Sequence, residues 1–225
     1  PARRTSGHDA AYRWGTRTDI ALDGGWRARV GGLDGHLSCL RQQTDVPAVK
    51  GSWINSVEQP GFFARGYPYE FRNAVEGAVT ETTASGNVTI NMGVWDNILD
   101  LNGIDKLHAE PPYGPELKSE RNRIAVGNIP VCGMNTAFAA ELTPAYFFLP
   151  DLWVAGSWQL SRHDDIWGGY ILKKLMDVRG DLFAYGNPVV EHTRQSKLER
   201  VVVIEHWMHL MSRDFYECVD EAAAR

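Results

Sequence analysis

The run Ser161-Arg162-His163-Asp164-Asp165-Ile166-Trp167-Gly168-Gly169-Tyr170 constrains this chain more than any other stretch. A basic pair leads into two adjacent carboxylates, and an apolar pattern starts directly after them. Ile166, Tyr170, Leu172, Leu175 and Met176 recur at roughly helical spacing, and Gly180 stands where such a helix would stop. The spacing predicts Asp164 and Asp165 at the N-cap and first turn. There the free backbone N–H groups and the positive end of the helix dipole favour an ionised carboxylate. An acid held at a helix mouth can orient a hydroxyl, act as a base or meet a cationic centre. Capping alone also accounts for both acids, so other parts of the chain must decide between the two readings.

Composition narrows the classes. With 225 residues, 44% of them hydrophobic and 23% charged, the chain has the profile of an ordinary globular protein with a sizeable core. A net charge of −5 with no Lys/Arg run argues against a nucleic-acid partner. Cys39, Cys132 and Cys218 are far apart and form no metal spacing, which points to free thiols in a reducing compartment. The longest apolar run, Val201 to Met211, is interrupted by Glu205, His206 and His209, so no membrane span is expected. A start at Pro1 rather than Met points to a processed, trimmed or partial chain.

Residues 1–18 are polar and Arg-rich and read as an irregular arm, with a single α/β domain over 19–225. Leu33, Leu37 and Leu40 predict a short helix ending near Gln43, and Val46 to Val57 a strand broken by Pro47 and Gly51. Gln59 to Arg72 is turn-rich and aromatic. Val88 to Asp96 alternates as a strand should, and Asn97 to Arg123, with three prolines, reads as a long loop. Ile124 to Val131 predicts a strand and Thr136 to Leu142 a short helix capped by Asn135. Leu182 to Tyr185 and Val189 to Glu191 predict two strands, and a long helix begins near Ser196.

Arg65-Gly66-Tyr67-Pro68 sets a guanidinium beside a residue that turns tightly, and Arg72 follows seven positions on. Two planar forks in one irregular segment suit a diphosphate, although two surface arginines beside aromatic packing give the same pattern. His192, after a strand, reads as a hydrogen-bonding group or a metal ligand. Cys132 has no triad partner at a telling spacing, which argues against a thiol nucleophile.

Five blocks together resemble the reversibly glycosylated polypeptides, the UDP-arabinopyranose mutase family. They are Phe63-Ala64-Arg65-Gly66-Tyr67-Pro68 with Arg72, Gly93-Val94-Trp95, Ile129 through Phe138, Arg162 through Gly169, and Gly186 through His192. The resemblance implies a glycosyltransferase-A-like mixed sheet flanked by helices, acting on a UDP-sugar with a divalent cation, Mn or Mg. It implies reversible glycosylation at Arg65, with Asp164 and Asp165 at the sugar and serving catalysis. Arg72, Arg162, Trp167 and Asn135 become substrate-binding positions, and His192 a metal ligand.

In such a family an N-terminal half holds the uracil and ends in an aspartate-rich metal motif. Here that region offers only Asp19-Ile20-Ala21-Leu22-Asp23, making Asp23 the nearest metal candidate. The expectation is therefore a chain lacking its nucleotide-binding half, which binds nucleotide-sugar weakly alone and draws on a homo-oligomer or partner chain. A cytoplasmic or Golgi-peripheral location goes with that reading. Two alternatives stay open: a conventional glycosyltransferase with a separate small acceptor, and a non-catalytic sugar-binding or scaffold subunit. The mutase reading predicts that Arg65, Arg72, Asp164, Asp165 and His192 share one cleft.

Overall fold

The structure, a computed structural model, describes residues 19–22, 26–29, 40–57, 60–73, 75, 77–97, 100–107, 122–150, 152–154, 158–160, 162–192 and 197–225. Of 19–22, 26–29, 95–97, 152–154, 158–160 and 187–192 it describes the backbone alone. The predicted arm, the predicted helix at Leu33 and Leu37, Cys39 and Asp23 lie outside these residues, as do positions 108–121 of the predicted long loop.

The architecture is a mixed sheet flanked by helices, consistent with the glycosyltransferase-A-like class. Nine strands are described: β1 (Asp19–Leu22), β2 (Trp26–Arg29), β3 (Gln42–Trp53), β4 (Val79–Asn97), β5 (Arg123–Asn128), β6 (Thr136–Phe138), β7 (Leu152–Val154), β8 (Trp158–Leu160) and β9 (Leu182–His192). Three α-helices accompany them: α1 (Gly103–Leu107), α2 (Asp164–Arg179) and α3 (Leu198–Ala223). The main sheet has seven strands in the order β1-β2-β9-β5-β3-β4-β6, with β4 also paired to β9. β3 runs parallel to β5 and β4 parallel to β9, while the β3–β4, β5–β9 and β4–β6 pairs are antiparallel.

Several sequence expectations change here. β3 starts at Gln42, where a helix was expected to end, and it runs through Pro47 and Gly51 without a break; its register against β4 shifts between Gln43 and Val46. β4 is a single 19-residue strand because its first half pairs with β3 and its second with β9 and β6. The two strands predicted after α2 are one, β9, held by pairing along both edges. Thr136 to Leu142 is not a helix: a 3-10 turn at Gly133–Asn135 precedes β6, and a second turn follows at Ala140–Leu142. β6 forms because Ile90, Asn91 and Met92 of β4 offer it a free edge. α1 lies within the stretch expected to be a loop.

α2 is the centre of the packing, and its first half is buried nearly all round. Leu172 and Met176 join a core with Ile54, Ile90, Met92, Ile129, Val131 and Phe183 of the sheet side. Ile166, Trp167 and Tyr170 turn instead into an aromatic cluster with Trp53, Tyr67, Met208 and Tyr216. A helix buried on two faces lacks a single apolar stripe, which is why its pattern was only roughly periodic. Gly180 ends it with φ 74°, a left-handed cap in which its N–H reaches back to Asp177. Among the described residues no helix is long and apolar enough to cross a membrane.

Candidate functional site

The turn Arg65-Gly66-Tyr67-Pro68 is pressed against the N-terminal turn of α2. Gly66 has φ 85°, and a Cβ there would sit 2.7 Å from Ile166 Cγ2, so both backbone and space demand glycine. Its N–H donates to Asn102 Oδ1 at 2.8 Å, and the Arg65 N–H donates to the Asp100 carbonyl at 2.9 Å. The turn is thereby fixed by the segment leading into α1, and its orientation sends the Arg65 side chain inward.

Arg65 is 6% exposed, and each of its guanidinium nitrogens donates to a protein oxygen. Nε meets Asp100 Oδ2 at 2.7 Å, Nη1 the Arg162 carbonyl at 3.0 Å, and Nη2 Asp165 Oδ2 at 2.6 Å. Arg162 stands at φ 61°, a left-handed conformation that presents this carbonyl. Asp165 Oδ2 also accepts the Gly133 N–H at 3.1 Å, while its Oδ1 is buried and accepts no hydrogen bond among the described residues. Lys106 Nζ lies 3.6 Å from Asp100 Oδ1. Two carboxylates and two cations are thus gathered in one buried cluster.

The electrostatics follow from that grouping. Burial disfavours the charge on Arg65, but Asp165 and Asp100 overcome it and hold its pKa well above the usual value. Burial likewise pushes the Asp100 carboxyl up, and Arg65 with Lys106 more than reverses this, leaving it well below the usual carboxylate range. The Cys132 Sγ lies 4.0 Å from Asp100 Oδ2. Burial, then Asp165 and Asp100, drive that thiol well above its usual pKa, so it stays protonated and is no thiolate nucleophile.

The other expected residues have partners of their own. Asp164 is half-exposed in the first turn of α2, and the N-cap position belongs to His163, so Asp164 is a first-turn acid rather than the cap. Arg72 forms a two-pronged pair with Asp105 at 2.7 and 2.9 Å and stacks on Tyr69 and Phe63. It does not touch Arg65, but α1 connects them: Asp105 holds Arg72 while Lys106 faces Asp100. Arg162 Nε donates to Glu205 Oε1 at 2.8 Å. Trp167 is buried, stacked on Phe215 at 4.3 Å with its indole N–H donating to Ser212 Oγ. Asn135 is also buried and donates to the Val94 carbonyl; it caps no helix. His192 is described only as backbone at the end of β9, paired with Trp26 and Asn97.

Three members of the network escaped the sequence reading. Asp100 and Lys106 lie in a stretch whose prolines and glycines read as a loop. Glu205 is 1% exposed on α3 and joins Arg162 to the Gly103 N–H, which it accepts at 2.6 Å. Its signal was present as a charge interrupting an apolar helical run, since a buried acid needs a partner. Among the described residues no group of three His, Cys, Asp or Glu is arranged to hold a metal ion. The cation the resemblance implies therefore finds no ligand set among them.

The family profile described as "Reversibly glycosylated polypeptide" matches residues 30–213. UDP-arabinopyranose mutase 3 of Arabidopsis thaliana is 34% identical over 175 residues, covering 74% of this chain and 42% of that protein. UDP-arabinopyranose mutase 1 of the same plant is 32% identical over 185 residues, covering 79% and 46%. A probable UDP-arabinopyranose mutase 1 of Pisum sativum is 31% identical over 170 residues, covering 74% and 42%. The chain spans less than half the length of these relatives. With the profile matched over most of its length, the chain belongs to the reversibly glycosylated polypeptide family.

Proposed function

We propose that this chain takes part in UDP-sugar mutase chemistry, with Arg65 as the group that receives the sugar and Asp165 as its base. The observation supporting this most directly is the 2.6 Å contact between Arg65 Nη2 and Asp165 Oδ2. A guanidinium is a poor nucleophile because its lone pairs are delocalised and its proton is held above pH ~12. In the proposed step the Nη2 proton passes to Asp165 Oδ2 as the Nη2–anomeric carbon bond forms and the bond from that carbon to the diphosphate oxygen breaks. The glycosylated side chain is again a guanidinium. Its charge, and so its attraction to Asp100, survives the reaction, and with Asp165 protonated it is the Asp100 carboxylate that favours the cation as the nitrogen attacks. Return of the proton and attack by the diphosphate reverse the step.

The same geometry favours a second reading. Arg65 is buried and donates from every nitrogen, as a purely structural clamp would. Under that reading the chain is a sugar-binding or scaffold subunit whose activity resides elsewhere. A divalent cation held by His192 and Asp23, an oligomer or partner chain completing the nucleotide site, and a cytoplasmic or Golgi-peripheral location belong to the mutase proposal.

Incubation with radiolabelled UDP-sugars, followed by denaturing gel and peptide mapping, separates the readings. Label on the peptide containing Arg65, lost in Arg65→Lys, supports self-glycosylation. Label on a small product alone points to a separate acceptor. No label, with the fold intact, favours the scaffold.

A further inference from the structure

The loop after the 3-10 turn at Ala140–Leu142 carries Tyr146, Phe147 and Phe148, and its last two rings face outward. Phe147 is 63% exposed and Phe148 47%, unusual for large aromatic side chains beside a buried charged cluster. Two glycines hold them there. A Cβ at Gly168, on α2, would lie 2.3 Å from the Phe147 carbonyl, so the loop backbone rests directly on the helix. A Cβ at Gly133 would lie 2.7 Å from Phe148 Cζ and 3.3 Å from Asp165 Cβ, so the ring edge and the acid approach the same point. Gly133 donates its N–H to Asp165 from that position. Both glycines are therefore explained by space, and what the space admits is the aromatic loop.

Beneath Phe148 lies Tyr146, with ring centres 5.1 Å apart and its hydroxyl buried. Phe148 and Asp165 both border the Gly133 position, so the aromatic loop lies against the first turn of α2, which carries Asp164 and Asp165. Asp164 is only partly buried there. An exposed aromatic face beside a helix turn that carries two acids, one of them partly exposed, is the chemistry that recognises a pyranose or furanose ring. The C–H face of the sugar lies on the aromatic ring, and its hydroxyls donate to the acid.

Resting on the mutase reading of the Arg65–Asp165 site, we infer that Phe148 is the stacking platform for the sugar ring of the UDP-sugar, with Asp164 accepting its hydroxyls. Phe148 would then decide sugar affinity while contributing nothing to the uracil or diphosphate. The loop of residues 143–150 is a substrate-positioning element and Gly133 is the position that admits it.

The test is a titration of UDP and of UDP-sugars into the purified chain, up to millimolar concentration, for wild type, Phe148→Ala, Phe148→Tyr and Gly133→Ala. Loss of one stacked ring predicts UDP-sugar binding weakened about fivefold to tenfold in Phe148→Ala, with UDP itself unchanged. Phe148→Tyr keeps the aromatic face and should bind as wild type. Gly133→Ala should mimic Phe148→Ala although the ring is still present. Equal loss of UDP and UDP-sugar, or no loss in Phe148→Ala, overturns the platform. If wild type binds neither nucleotide, as a chain that needs a partner to complete its nucleotide site would, the mutase reading is left to the labelling experiment above, and the platform is judged by ligand-observed NMR with methyl pyranosides and furanosides. Saturation transfer to the sugar C–H face that disappears in Phe148→Ala upholds the platform; no transfer in wild type overturns it too. Phe148 is exposed, so its substitution should leave the far-UV spectrum and thermal melt unchanged.

Discussion

Arg65 Nη2 and Asp165 Oδ2 lie 2.6 Å apart although a hundred residues separate them in sequence. The contact joins a strained turn after β3 to the mouth of α2, and Asp100 seals the arginine from the other side.

Removing the arginine strands two buried acids. Breaking a buried ion pair from one side typically costs about 3–5 kcal/mol, because the remaining charge loses its compensation. Arg65→Ala should therefore lower stability by roughly that amount in chemical denaturation. Arg65→Lys, with one donor group in place of a planar fork, should recover only part of it. An Arg65→Ala variant as stable as wild type rejects the cluster described here.

The two neighbouring acids should respond differently. Asp165→Asn removes the charge facing Arg65 and should cost about 2–4 kcal/mol, and with it any labelling from UDP-sugar. Asp164→Asn alters a half-exposed first-turn acid, so its stability cost should stay below about 1 kcal/mol. Equal effects of the two on stability, by thermal melt, would show that the geometry assigned to α2 is misplaced by one residue.

Gly66→Ala tests the turn. Its φ of 85° disfavours any Cβ, and Ile166 occupies the space one would need. Together these should cost about 2–4 kcal/mol. Pairing it with Ile166→Ala relieves the clash but not the dihedral strain, so the double mutant should recover less than the whole loss relative to Ile166→Ala alone.

Acid should weaken the fold in two stages. His209 on α3 is partly buried near Glu205 and Arg72, and burial above all lowers its pKa. Unfolded chains take up that proton below pH ~6.5 while the folded chain resists, so stability declines as pH falls through that value. Asp100 has its folded pKa depressed, so its contribution is full above the unfolded value near ~3.9 and is lost as pH falls below it. Melting temperature measured from pH 8 to pH 3 should show both declines, and His209→Gln should remove the first alone.

Periodicity in the sequence was enough to locate α2 and α3, with Gly180 as a stop, because helical burial repeats along the chain whatever it packs against. The five blocks were enough to name the family, and the pairing of two acids at a helix mouth was visible as adjacency. Tertiary structure alone decided the partners. Asp100, Lys106 and Glu205 became members of the site through contacts made across the fold, which no local pattern encodes. β4 gained its first half, and β6 its existence, from strand edges supplied elsewhere. Trp167, read by resemblance as facing a sugar, stacks on Phe215 because α3 covers that side of α2. A sequence reports which side chains are available at each turn of the backbone, but the direction each one takes is fixed by what the rest of the chain brings within a few ångströms.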